Sequence, residues 1–223
     1  DDIVCHRQTT KRAKTMFSKL TSIALFISLA ASAQVAAAPQ WEGPFGLKKG
    51  LTQEQLASAT KGLKLISPGY YTFDAAPATY PGVDQYLAVV GPKTGLCKVM
   101  ASFSLRHVSA YGDDIKDQVS RLSEALTEKY GKPTRIFDYL KPGSIWDKPN
   151  DWYMGLYKKE RVLQHFWLTD PVRNGKPLPN MLSAITIKAT ARGGSGADVD
   201  LSYEFDNIDE CFASLKSADN AAL

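Results

Sequence analysis

From Asp198 to Phe205 the chain alternates without interruption. Val199, Leu201, Tyr203 and Phe205 are apolar, and Asp198, Asp200, Ser202 and Glu204 between them are polar. Side chains of a strand point to opposite faces in turn. This stretch therefore demands a sheet with one buried and one wetted face, the habit of antiparallel sheets. LSAITIKATA, just before it, is a second strand. The glycine-rich RGGSGA joins the two as a hairpin loop. It does not match GxGxxG and lies between strands, so it is not read as a phosphate cradle.

Other segments follow the same logic. QYLAVVGPKTGLCKVMASFSL reads as a hairpin about GPKTG. Leu96, Val99, Ala101 and Phe103 do not alternate cleanly with Cys97 and Met100, which predicts burial on both faces or a bulge. LKLIS and YYTFD are short strands around SPG. GDDIKDQVSRLSEALTEKYGKP is the clearest helix. Ile115, Val119, Leu122, Leu126 and Tyr130 recur at helical spacing, and Gly131 and Pro133 stop it. Asp113 and Asp114 sit at its positive end, where a dipole role outweighs a metal role. Thr52 and Gln55 form a capping box for a helix ended by Gly62, with Leu51 and Leu56 placed as a staple. Asn207 or Asp206 caps a last helix; DNIDE lacks the further ligands of a calcium loop. Strands in hairpins with helices before or after them give an α+β fold on an antiparallel sheet. The order of elements allows two pseudo-repeated helix–strands–helix halves, split near residues 131–145.

The first 38 residues are set apart. From Met16, MFSKLTSIALFISLAASAQVAAAPQ has a lysine, an apolar run from Ile23 to Ala31, and Ala36 and Ala38 as a cleavage pattern. A spanning helix needs about 20 strongly apolar residues, and this run is shorter. A cleaved secretory signal is expected, with translation starting at Met16 and residues 39–223 as one mature domain without a membrane span. The chain carries 27 basic and 23 acidic residues; beyond residue 38 these become 22 and 21, so the net charge falls from +4 to +1. That balance gives no case for nucleic acid. Export also suits the cysteines. Cys97 and Cys211 remain after the leader and are expected to pair as a disulfide. A periplasmic or secreted protein, with a Gram-negative source, is the expectation.

HExxH, paired CxxC, the P-loop and GxSxG do not occur. His107 and His165 have no second ligand at metal spacing, and no cofactor is expected. The stretch DWYMGLYKKERVLQHFW concentrates aromatic and basic residues. Asn150 or Asp151 should cap a short helix here, with Lys158 and Lys159 in its last turn. A strand follows, with Val162, Phe166 and Leu168 on one face and Leu163, His165 and Trp167 on the other. Trp152, Leu156, Phe166 and Trp167 fit a packed helix–strand corner. If the face bearing His165 is open, Trp152, Tyr153, Tyr157, Arg161, His165 and Trp167 become candidate binding residues.

Gly50, Leu51, Thr52, Gln55 and Leu56, within FGLKKGLTQEQL, carry a family resemblance. The segment is similar to the G-[LM]-T-x-x-Q-[VL] stretch of the BamE (SmpA/OmlA) lipoproteins and of β-lactamase-inhibitor-like domains. More broadly, the chain resembles uncharacterised secreted proteins with a helix ending YGKP. The match spans about twenty residues of structural content, and the lipid-bearing cysteine of the lipoproteins is missing. The resemblance implies a periplasmic α+β module with binding rather than catalysis. Export, the missing catalytic motifs and the aromatic candidates make an envelope protein or cell-wall component the expected partner. A hydrolase of an envelope polymer and a small-ligand carrier are the alternatives.

Overall fold

The computed structural model describes residues 43–169 and 177–221. The leader and signal expected over 1–38 lie outside them. The chain opens with a helical turn at Pro44–Gly46 and then helix α1, Gln53–Ala59. The capping box is formed: the Thr52 hydroxyl accepts from the Gln55 amide, and the Thr52 amide donates to Gln55 Oε1 at 2.9 Å. Helix α1 stops before Gly62. Its cap is Thr60, whose hydroxyl donates back to the Leu56 carbonyl at 2.8 Å.

Strands β1 (Lys64–Ser67), β2 (Tyr70–Phe73), β3 (Gln85–Gly91) and β4 (Gly95–Leu105) follow as a meander. Helix α2, Asp113–Tyr130, begins the second half. Strand β5 (Arg135–Leu140), helix α3 (Trp152–Tyr157) and strands β6 (Arg161–Leu168), β7 (Leu182–Arg192) and β8 (Gly196–Phe205) complete it. Helix α4, Ile208–Ala221, closes the described chain. The fold is α+β, with a single eight-stranded antiparallel sheet in the order β1-β2-β3-β4-β8-β7-β6-β5.

Each half thus contributes a helix and then four strands, with α3 inserted between β5 and β6 in the second, and the last strands of the halves, β4 and β8, pair side by side along the middle. The division falls between β4 and α2, in residues 106–112, rather than at 131–145. The reason is packing: α2 lies across β7 and β8, so it belongs with the strands that follow it.

The sheet has two unlike faces. The inner face carries Phe73, Val99, Phe103, Ile185, Ile187, Val199 and Phe205, and α2 adds Ile115, Val119 and Leu122 to one continuous core. On β4 both readings of the irregular pattern hold. A bulge shifts the register so that Val89 pairs with Lys98 and Val90 with Leu96. Leu96 therefore stays in the main core, while Cys97 joins Val89 on the outer face. There Cys97 is bonded to Cys211 of α4, a link spanning 114 residues. With Leu215 these residues form a small second core that holds α4 against one end of the outer face. Among the described residues no helix is long and apolar enough to cross a membrane.

Two helix ends differ from expectation. Asp151 makes no side-chain cap; a helical turn at Pro149–Asp151 feeds α3 instead. Helix α3 ends at Tyr157, and Lys159 turns the chain with a φ of 60°. Asn207 holds the N-cap position of α4, its carbonyl accepting the Cys211 amide at 3.0 Å, while its side-chain amide donates to the Thr94 carbonyl at 3.1 Å and the Leu96 carbonyl at 3.3 Å.

Candidate functional site

The six residues singled out in DWYMGLYKKERVLQHFW fall into three groups. Trp152 opens α3 and is buried. Lys116 Nζ lies 4.9 Å from its ring centre and the Arg161 guanidinium 5.4 Å, so one indole serves two cations. Tyr153, the next residue, points to the β7–β8 hairpin, where its hydroxyl donates to the carbonyls of Arg192 and Gly196. Burial pushes that phenol up. Tyr157 stacks on Tyr153 with ring centres 6.4 Å apart and is exposed. His165 and Trp167 share the inner face of β6, their rings 6.5 Å apart. The indole N–H of Trp167 donates to the Gly131 carbonyl at 2.7 Å. The packed-corner expectation describes Trp152, Leu156 and Trp167 well, all of them in the main core. Phe166 departs from it: its ring lies on the outer face, 5.6 Å from that of Phe137.

The inner face near His165 is not a broad open surface. Helix α2 runs beside it and leaves a trough of about 700 Å³ between itself and β5–β6. Ser123, Glu124 and Glu128 line the helical wall, and Asp138, Leu163 and His165 line the strand side. His165 Nδ1 and Ser123 Oγ share a hydrogen bond of 3.0 Å. Burial lowers the imidazole pKa, and the negative charge of Asp138 opposes that shift in part. Asp138 also forms a loose ion pair with the Arg161 guanidinium at 3.7 Å.

The Ser123–His165 pair lacks the surroundings of a nucleophile. Ser123 sits within α2, where backbone N–H groups are consumed by carbonyls one turn earlier. None is left to form an oxyanion hole beside its hydroxyl. No group of three or more metal-ligating side chains gathers among the described residues.

The outer face is chemically different. Cross-strand pairs run over it in ladders. Ser102 Oγ donates to Asp200 at 2.7 Å, and Lys188 stands opposite Asp200 on the next strand. Lys98 pairs with Glu204 at 2.8 Å and Arg192 with Asp198 at 2.9 Å. Burial raises the Asp200 carboxyl despite the bond from Ser102. Ser202 is itself buried, so this face is less wet than the bare alternation implies. Beyond the polar ladders, Phe137, Tyr139 and Phe166 form an edge-on aromatic row, with Phe137 and Tyr139 exposed.

Sequence reasoning missed this row. RIFDYL places Arg135, Phe137 and Tyr139 on one face and Ile136, Asp138 and Leu140 on the other, so neither face is purely apolar. The usable signal was four large apolar or aromatic residues, Ile136, Phe137, Tyr139 and Leu140, in a six-residue run with two charges. No family model, curated protein or solved structure matches the chain.

Proposed function

We propose that the protein is a non-catalytic binding module of the bacterial cell envelope that engages a protein partner across the outer face of its sheet. One observation carries the reading. The helices α1, α2 and α3 crowd the inner face, α4 covers one end of the outer face, and the aromatic row Phe137, Tyr139 and Phe166 remains accessible beside charged ladders. Aromatic anchors with a polar surround are the usual composition of a protein–protein contact. The Cys97–Cys211 bond is compatible with an oxidising compartment. The signal-like leader and the BamE-like segment at Gly50–Leu56 favour the periplasm in the same sense.

A photo-crosslinking residue at Phe166 or Thr186, compared with one at Glu54 on α1, tests the reading in cells. One dominant adduct from the outer positions, competed by added unlabelled protein and lost with Phe166→Asp, supports it. Equal adducts from both surfaces, or none, would overturn it.

The Ser123–His165 hydrogen bond favours a second reading, hydrolysis of an envelope polymer. His165→Gln would then abolish turnover of cell-wall fragments. The absence of an oxyanion site beside Ser123 argues against this reading. The carrier reading needs a closed apolar pocket, whereas the trough beside His165 is open and lined by carboxylates.

A further inference from the structure

A second surface, the edge of the sheet, adjoins the outer face at Phe137 and Tyr139. The sheet has two edges, β1 and β5. Edges carry unpaired backbone groups and invite another strand unless they are short, bent or charged. Strand β1 is blunted in those ways: it has four residues, its register shifts between Leu65 and Ser67, and Pro68 follows it. Strand β5 is not. Its six residues pair with β6 in unbroken register from Arg135 to Leu140, and all but Leu140 are exposed. Ile136 is 55% exposed, Phe137 39% and Tyr139 46%.

The trough runs along the inner side of this edge. Its charged walls are Asp117, Glu124, Glu128 and Asp138 against Lys116. Lys116 is already committed: its ammonium donates to the Tyr111 carbonyl, lies near Asp113 and sits over Trp152. Among the described residues no ion pair reaches Asp117, Glu124 or Glu128. The trough is thus negative, and half-buried His165 lies at its base with a lowered pKa.

We infer that the free edge of β5 receives an extended polypeptide segment as a ninth strand, with lysine or arginine side chains directed into the trough. Alternation fixes the pattern of such a segment. Side chains on its inner side meet Asp138 and the acidic wall of α2; those on its outer side meet Phe137 and Tyr139. The segment therefore alternates basic and apolar residues. Main-chain hydrogen bonds to β5 hold it, and the charges select it. A second copy of this chain is a poor occupant, because β5 against β5 would bring two acidic troughs together.

The test uses the purified protein and three labelled eight-residue peptides: alternating lysine and valine, alternating glutamate and valine, and a block of lysines followed by a block of valines. The alternating lysine peptide is expected to bind saturably, and each of the others at least about tenfold more weakly. Amide exchange at residues 135–140 slows on binding. Glu124→Lys with Glu128→Lys, both on the exposed wall of α2, weakens binding by about tenfold while leaving the exchange pattern of the free protein unchanged. Equal binding of the block peptide reduces the effect to bulk charge and overturns strand addition. So does protection that spares residues 135–140. A dimer in light scattering with β5 protected in the absence of peptide assigns the edge to a second copy and also overturns the proposal.

Discussion

The indole N–H of Trp167 donates to the carbonyl of Gly131 at 2.7 Å, so the most buried residue of β6 grips the C-terminal end of α2. Gly131 has a φ of 83° and ends the helix where carbonyls lack intrahelical partners. One bond therefore ties the end of α2 to β6, the strand that carries the trough residues Leu163 and His165.

Replacing Trp167 with Phe keeps an aromatic ring in the core and removes that bond. A loss of about 1–2 kcal/mol is expected, from the hydrogen bond and the unfilled volume. Urea unfolding measures it; an unchanged midpoint would show that the bond adds nothing.

Two glycines with positive φ but very different ψ, 22° at Gly112 and -175° at Gly131, should each resist alanine for its own reason. Gly112 has a φ of 70°, and a Cβ there would lie 1.9 Å from Trp152 Cε3. Gly131 has a φ of 83° and open space around it. Gly131→Ala is expected to cost about 1–3 kcal/mol from backbone strain alone, because its φ and ψ fall in a region essentially confined to glycine. Gly112 sits in the left-handed helical region, where alanine costs about 1 kcal/mol, and the clash with a packed indole raises the total to about 2–4 kcal/mol. A loss at Gly112 of no more than about 1 kcal/mol in thermal or urea unfolding would refute the close approach of Trp152.

Reduction should loosen α4 before the rest. The Cys97–Cys211 bond closes a loop of 114 residues, which in the chain-entropy model corresponds to about 4–5 kcal/mol and commonly less in practice. The double variant Cys97→Ala, Cys211→Ala is expected to lose about 2–5 kcal/mol, and its amides over 208–217 should exchange fastest relative to the native protein. Exchange raised evenly over the sheet would contradict a local clamp.

His165 gives a pH dependence of definite sign. Its folded-state pKa lies below the ordinary 6.5, so in the window between the two the unfolded chain binds more protons than the folded one. Stability therefore rises with pH through that window and falls as pH drops from about 6.5 toward the lowered value. The Asp200 carboxyl is shifted the other way, upward from 3.8, and weakens stability as pH rises through its own raised value. His165→Gln should flatten the slope near pH 6 and leave the Asp200 component. An NMR titration of His165 with a midpoint above 6.5 would reverse the assignment.

Local grammar was readable in the chain. Thr52 and Gln55 cap α1 as their spacing requires, and the alternation of Val199, Leu201, Tyr203 and Phe205 marks the central strand. The irregular pattern around Leu96 and Cys97 announced both the bulge and the second core. What depends on long-range pairing was not readable. Nothing near Trp152 names Lys116 as the cation over its ring, and nothing in RIFDYL says that its strand ends the sheet. Phe166 and Trp167 are neighbours of similar character, yet one faces outward and the other is buried; the choice rests on where α2 lies. The six candidate residues were grouped by sequence proximity, whereas a strand sends neighbours to opposite sides.

The seam between β4 and β8 has a consequence for synthesis. β4 is eleven residues long, and its partner β8 is made only after α2, β5, α3, β6 and β7. During elongation the first half can complete its meander while its longest strand stays unpartnered on one side. That nascent edge includes Val99, Ala101 and Phe103, later sealed in the core. The growing chain is therefore most exposed to misassociation in the interval between its fourth strand and its eighth, and a holdase acting on it would find its target there.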